Sequence, residues 1–156
     1  MAYLLDTGIL LRLVDKQDRQ HDLVRRALGI LGNQGEELWI AGQNVAEFLN
    51  VATRPTANNG LAMSSAVATN LFRREIESIA SVLVEGDATH GEFLRLVNQN
   101  GVVGKQIHDA RLVAMMLTWQ IENLLTLNDR HFRRFEPEGI TIVTPADLVS
   151  GSSTPP

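Results

Sequence analysis

The sequence predicts an α/β architecture, a central parallel sheet of about five strands between two layers of helices, and three observations lead there. Brief apolar runs recur along the chain, nearly unbroken, as strands covered on both faces require. Stretches between them space their apolar residues with helical period. Strands separated by helices are joined by crossovers rather than hairpins, so they run parallel with helices on both sides.

The elements follow in order. Tyr3-Leu4-Leu5 makes a first strand at 3–5 and Leu38-Trp39-Ile40-Ala41 a second at 38–41. Three more fall at 81–84, 124–126 and 141–143. Helices are expected over 9–14, 21–31, 44–52, 65–77, 89–98 and 110–120. Asp87 or Thr89 can cap the fifth of these, and Gly101 can end it. The segment Arg54-Pro55-Thr56-Ala57-Asn58-Asn59-Gly60 is turn chemistry and separates two helices. A chain of 156 residues suits one domain, expected over 1–149, followed by a disordered tail over 150–156.

Composition narrows the function classes. The chain has no cysteine, which removes disulfides, thiolate nucleophiles and Cys-ligated zinc, and suits the reducing cytoplasm where the protein is expected to reside. The apolar start is interrupted by Asp6 and Arg12, so no signal peptide is expected. No uncharged run reaches the roughly 18 apolar residues that suggest a membrane span. A net charge of −4 argues against a protein that coats nucleic acid electrostatically, yet leaves room for an enzyme whose pocket is itself acidic.

In an open parallel sheet, ligands bind where loops leave the carboxyl ends of the strands. Acids stand at or near three of these exits. Asp6 ends the first strand, Glu47 lies on the helix after the second, and Asn128-Asp129 follow the fourth. Asp109 stands at the start of the helix before the fourth strand. Gathered together, such carboxylates would repel and raise one another's pKa unless a cation lay between them. Hard dications such as Mg²⁺ or Mn²⁺ accept oxygen ligands and acidify a bound water that can attack a phosphodiester. Asp109 shares a helix face with Leu112, Val113 and Met116 and so points inward; Glu47 projects away from the stripe of Val45, Phe48, Leu49 and Ala52. Each acid also has a plainer reading. Asp6 can cap a helix, Glu47 can be solvated, Asp109 can oppose a helix dipole, and Asp129 can be a turn residue.

The order and context of these residues resemble the PIN-domain family, and within it the VapC-type toxins of bacterial toxin–antitoxin pairs. Four segments carry the likeness: Leu4-Leu5-Asp6-Thr7-Gly8-Ile9-Leu10, Gln43-Asn44-Val45-Ala46-Glu47-Phe48, Gly104-Lys105-Gln106-Ile107-His108-Asp109-Ala110, and Leu124 through Phe132. The resemblance implies a PIN-like three-layer sandwich and an Mg²⁺ or Mn²⁺ pocket lined by Asp6, Glu47 and Asp109, with Asp6 and Asp109 as metal ligands. It implies a ribonuclease acting on RNA, a homodimer, and neutralisation by a cognate antitoxin. At the fourth position many relatives carry Asp where this chain has Asn128, with Asp129 next. Asp129 is therefore the fourth candidate acid, with Thr126 and Asn128 as pocket-lining candidates and Thr7 as a hydrogen-bonding group near the metal.

Among the cations, Lys105, Arg111 and Arg130 stand beside the acidic segments and are candidate phosphate contacts. His21, His90, His108 and His131 lack metal-ligand spacing, which argues against zinc, although His108 could orient Asp109. Trp39 and Trp119 read as core. No GxGxxG or Walker-type loop suggests a nucleotide cofactor. Two rivals remain: a binding module with a weak metal pocket, kept open by Asn128, and a receiver-like signalling domain. The second wants an acid pair after strand one and a lysine in the last third, and the chain has neither.

Overall fold

The computed structural model describes residues 1–151. Five strands form one sheet in the order β3-β2-β1-β4-β5, every neighbouring pair parallel. The strands are β1 (Ala2–Leu5), β2 (Glu37–Ala41), β3 (Ser81–Leu83), β4 (Asn123–Leu125) and β5 (Thr141–Val143). Register follows the apolar runs, with Leu4 opposite Trp39 on one side and Leu124 on the other.

The helices are α1 (Thr7–Val14), α2 (His21–Asn33), α3 (Gly42–Thr53), α4 (Ser65–Glu75), α5 (Asp87–Gln99), α6 (Gln106–Thr118), α7 (Asp129–Phe132) and α8 (Pro145–Gly151). Side chains of a strand alternate faces, and here they feed two separate cores. Tyr3, Leu5, Leu38 and Ile40 pack with α1 to α4 through Leu10, Leu28, Phe48 and Phe72. Leu4, Ala41 and Leu124 pack on the other face with α5, α6 and α7 through Leu96, Met116 and Phe132. The three-layer sandwich expected from the sequence is therefore present.

Several boundaries differ from expectation. Thr126 lies just past β4 instead of inside it, and Val84 lies just past β3. Helix α6 begins at Gln106 rather than at residue 110, so Asp109 sits within its first turn. It also stops sooner. Gln120 takes a left-handed φ of 56°, its N–H bonds the Leu117 carbonyl, and the Ile121 N–H bonds the Met116 carbonyl, a double-bonded helix end usually closed by glycine. Helices α7 and α8 and two 3₁₀ turns, Thr56–Asn58 and Arg133–Glu138, were not expected. Ser150 and Gly151 close α8; the rest of the expected tail, 152–156, lies outside the described residues. Trp119 is also not core. It is 46% exposed, stacks on Trp39 at a centroid distance of 6.4 Å, and donates its indole N–H to the Val84 carbonyl.

The order of the strands fixes where a ligand can sit. The chain builds outward from β1 through β2 to β3, then returns to the other side of β1 for β4 and β5. Strand order reverses at β1 and β4, and the crevice at their carboxyl ends is the switch point of the sheet.

Candidate active site

Asp6 is the residue immediately after β1, and it does two things at once. As the N-cap of α1 it accepts a hydrogen bond from the Thr7 N–H at 2.7 Å. Its second oxygen accepts from the Thr126 hydroxyl, also at 2.7 Å, from the end of β4. Pairing of the two strands brings them together, since the Asp6 N–H bonds the Leu125 carbonyl at 3.0 Å. The capping reading of Asp6 is met, and the same geometry keeps its carboxylate at the carboxyl end of β1.

Glu47 joins from α3. Its carboxylate accepts from the Thr7 hydroxyl at 2.6 Å and from the Gln43 amide at 2.9 Å. Thr7 in turn accepts from the amide of Asn44, which is fully buried, and the carbonyl oxygen of that same side chain accepts from the Ala41 N–H at 2.8 Å. Asn44 therefore clamps the β2–α3 corner to the start of α1. Gln43 reaches the other way and donates to the His108 carbonyl at 3.0 Å, tying α3 to α6.

Asp109 comes from the first turn of α6, its side chain 20% exposed. Burial pushes its carboxyl up to about 6, Asp6 and Glu47 push the same way, and His131 and His108 oppose them. Burial likewise raises Asp6, with Glu47 adding to it and the bonds from Thr126 and Thr7 working against it. The three acids thus lie within electrostatic reach of one another at the switch point, although they arise from β1, α3 and α6. Beside them opens a hollow of about 480 Å³ lined by Glu47 and Asn50 of α3, by Lys105, Gln106, His108 and Asp109 around the start of α6, and by His131 of α7. Asp6 is off its lining, held by Thr7 and Thr126.

Asp129 is placed elsewhere. It pairs with Arg133 one turn on at 2.6 Å, which holds its carboxyl below the usual range, and it lines a separate hollow with Arg133, Glu136 and Asp147. Asn128 is exposed, and its backbone N–H bonds the Thr126 hydroxyl at 3.0 Å. Of the candidate phosphate contacts, Lys105 lines the acidic hollow, Arg111 is paired with Glu85, and Arg130 is not in the lining. Gln43, Asn44 and His131 have no site role among the expectations from the sequence. His131 lies one helical turn beyond Asn128, and the large apolar Phe132 beside it is the signal in the sequence that this turn is anchored, as its burial bears out.

The donor set suits a hard dication. Its carboxylates stand among amides, hydroxyls and two imidazoles, without sulfur, and the acids destabilise one another's charged forms. Among the described residues no three His, Asp or Glu side chains already close into one ligand set. Glu47 spends both oxygens on Thr7 and Gln43 instead.

Fold and site together define a doubly wound α/β protein with an acidic pocket at its switch point. Residues 3–136 match the model of the PIN domain, and the chain belongs to that family. Solved structures agree on the fold. VapBC2 from Rickettsia felis, bound to a DNA fragment from its promoter, aligns at 16% identity with a TM-score of 0.66, covering 92% of this chain and 98% of that one. VapBC-1 from nontypeable Haemophilus influenzae aligns at 15% identity and a TM-score of 0.66, covering 94% and 99%. VapC20 from Mycobacterium tuberculosis, a toxin that cleaves the sarcin–ricin loop, aligns at 17% and 0.60, covering 89% and 96%. Against curated protein sequences the chain has no match.

Proposed function

We propose that this protein is a metal-dependent endoribonuclease, the toxin half of a toxin–antitoxin pair. One observation carries the reading. Three carboxylates from three distant segments, Asp6, Glu47 and Asp109, share the carboxyl end of the sheet, and Asp109 is pushed up to about 6. Asp6 and Asp109 would hold Mg²⁺ or Mn²⁺, with Glu47 completing the acidic set. A dication bound there supplies an acidified water and charge neutralisation at the phosphodiester. The chain's own residues set the carboxylates in place. Thr126 and the Thr7 N–H fix Asp6, while Thr7 and Gln43 fix Glu47. Lys105 stands at the rim, where a phosphate needs a cation. Asp129 is left out of the set, because Arg133 engages it.

Likeness to VapBC structures supports an antitoxin as partner. So does a groove of about 500 Å³ between α1, α2 and α4, lined by Leu13, Leu28, Leu38 and Ile79 over Gly29 and Gly32. Homodimerisation and a cytoplasmic location follow from the same reading. Among the described residues no helix is long and apolar enough to cross a membrane.

The test is cleavage of RNA by the purified protein with Mg²⁺, with chelator, and in Asp6→Asn and Asp109→Asn variants of intact fold. Loss of cleavage in all three altered cases is expected. Full activity in either variant would overturn the assignment. A second reading, an RNA- or protein-binding module, rests on the fourth corner, where Asn128 is neutral and Asp129 is turned to Arg133. Such a module would grip RNA in chelator and never shorten it.

A further inference from the structure

An acidic site meets a difficulty when its substrate is a polyanion, because the phosphate must be held beside carboxylates that repel it. A dication bound there would offset part of that repulsion, and side-chain donors in the hollow can offset more. Asn50, Lys105, Gln106, His108 and His131 are the candidates. His131 is the one aimed at an acid, with Nδ1 3.9 Å from the Asp109 carboxylate, too far for a hydrogen bond. No hydrogen bond to another described residue holds its ring, and the side chain is 59% exposed. Its backbone is firmly seated all the same. The His131 N–H bonds the Asn128 carbonyl at 3.0 Å, and the next residue, Phe132, is buried in the core. The turn is anchored, and it presents beside the acids a ring whose donor capacity is unspent and available to a substrate group.

We propose that His131 is a substrate-contacting residue whose imidazole N–H donates to a phosphate oxygen of the RNA beside Asp109. The contact rests on the nuclease reading above. It fills the corner for which the sequence offered Asn128 and Asp129, and fills it with a donor rather than an acid. An imidazole carries at least one N–H in either protonation state, so the contact does not depend on its charge. That phosphate carries its negative charge before and during cleavage, so the bond serves substrate and transition state alike and its loss falls on KM.

The test uses the full chain with Mg²⁺ and a labelled pool of random-sequence single-stranded RNA, comparing wild type with His131→Ala, His131→Gln and His131→Asp. For His131→Ala, KM is expected to rise about tenfold or more, the size of a lost hydrogen bond to a charged group, with kcat within about twofold. His131→Gln, which keeps a donor, should recover part of the loss, and His131→Asp should be worse than His131→Ala. Melting temperatures should match wild type. If wild type cleaves and His131→Ala keeps the same KM, the contact is wrong and the nuclease stands. Wild-type-like KM in His131→Asp would also overturn it, pointing to an acid corner. If wild type neither binds nor cuts the pool, both readings fail.

Discussion

Asn44 shows how a residue remote from any reacting atom can govern this site. It is fully buried, donates to the Thr7 hydroxyl at 3.1 Å and accepts from the Ala41 N–H at 2.8 Å. Replacing it with alanine strands a buried N–H and frees Thr7, and through Thr7 one oxygen of Glu47. A cost of about 2–3 kcal/mol is expected from the orphaned groups, read as a lower urea midpoint with unchanged m-value. Cleavage should fall as well, by more than the fraction unfolded explains. An Asn44→Ala protein as stable and active as wild type would show that the clamp is idle. Of the candidate acids, Asp6 and Glu47 were legible from their places at or shortly after a strand exit, and Asp109 from the apolar face its helix shares with Leu112, Val113 and Met116. Asn44 was not, since a polar side chain near a helix start is ordinary until its burial is known. Asp129 misled for a related reason: whether it or His131 meets the acids depends on the phase of a single helical turn, which a four-residue element sets by tertiary packing of Phe132.

At the scale of elements, apolar runs located all five strands, and the three central ones, β2, β1 and β4, are covered on both faces. Helix ends were harder. The close of α6 depends on Gln120 adopting a left-handed conformation, for which glycine is the usual signal. Helices α7 and α8, of four and seven residues, are too short for periodicity to declare. The turn between α3 and α4 was legible from composition, but not the reason for its last residue. A Cβ on Gly60 would lie 1.9 Å from the Arg54 carbonyl oxygen and 2.4 Å from Arg54 Cγ. Backbone this close cannot swing aside, so the loop must shift. Gly60→Ala should therefore cost about 2–3 kcal/mol, the upper range for overpacking. At roughly 2–4 °C per kcal/mol, its melting temperature should drop by about 4–12 °C. Because this turn is not part of the acidic site, the folded variant should cleave RNA at the wild-type rate. A loss of rate without a loss of stability would contradict that separation.

For the whole molecule, the acidic site makes stability a function of pH, and the proposed metal would add a second dependence. Well below the unfolded value of about 3.9, Asp109 is protonated in both the folded and the unfolded chain and costs nothing. As pH rises through the unfolded value the unfolded chain releases its proton, whereas the folded site keeps it up to about 6. The folded state then binds more protons, so stability falls with rising pH across that window and levels off above it. The full penalty is at most about 3 kcal/mol, two pKa units and a little more. Glu138 and Asp129, held low by Arg95 and Arg133, act with the opposite sign, losing stability as pH falls. The raw curve mixes these effects, and the difference between wild type and Asp109→Asn isolates the part that Asp109 contributes. In chelator, the variant should gain on wild type between about pH 4 and 6 and stay ahead at pH 7.5. Adding Mg²⁺ should reverse the order at pH 7.5, since a dication that binds the folded site alone stabilises it by mass action and removes the repulsion. At pH 4.5 the same addition should do little, because Asp109 still holds its proton. Melting temperatures measured by calorimetry on both proteins, with and without Mg²⁺ at the two pH values, decide the matter. Wild type indifferent to Mg²⁺ at pH 7.5 would mean that the three acids do not share a cation, and the electrostatic case for a metal site would collapse.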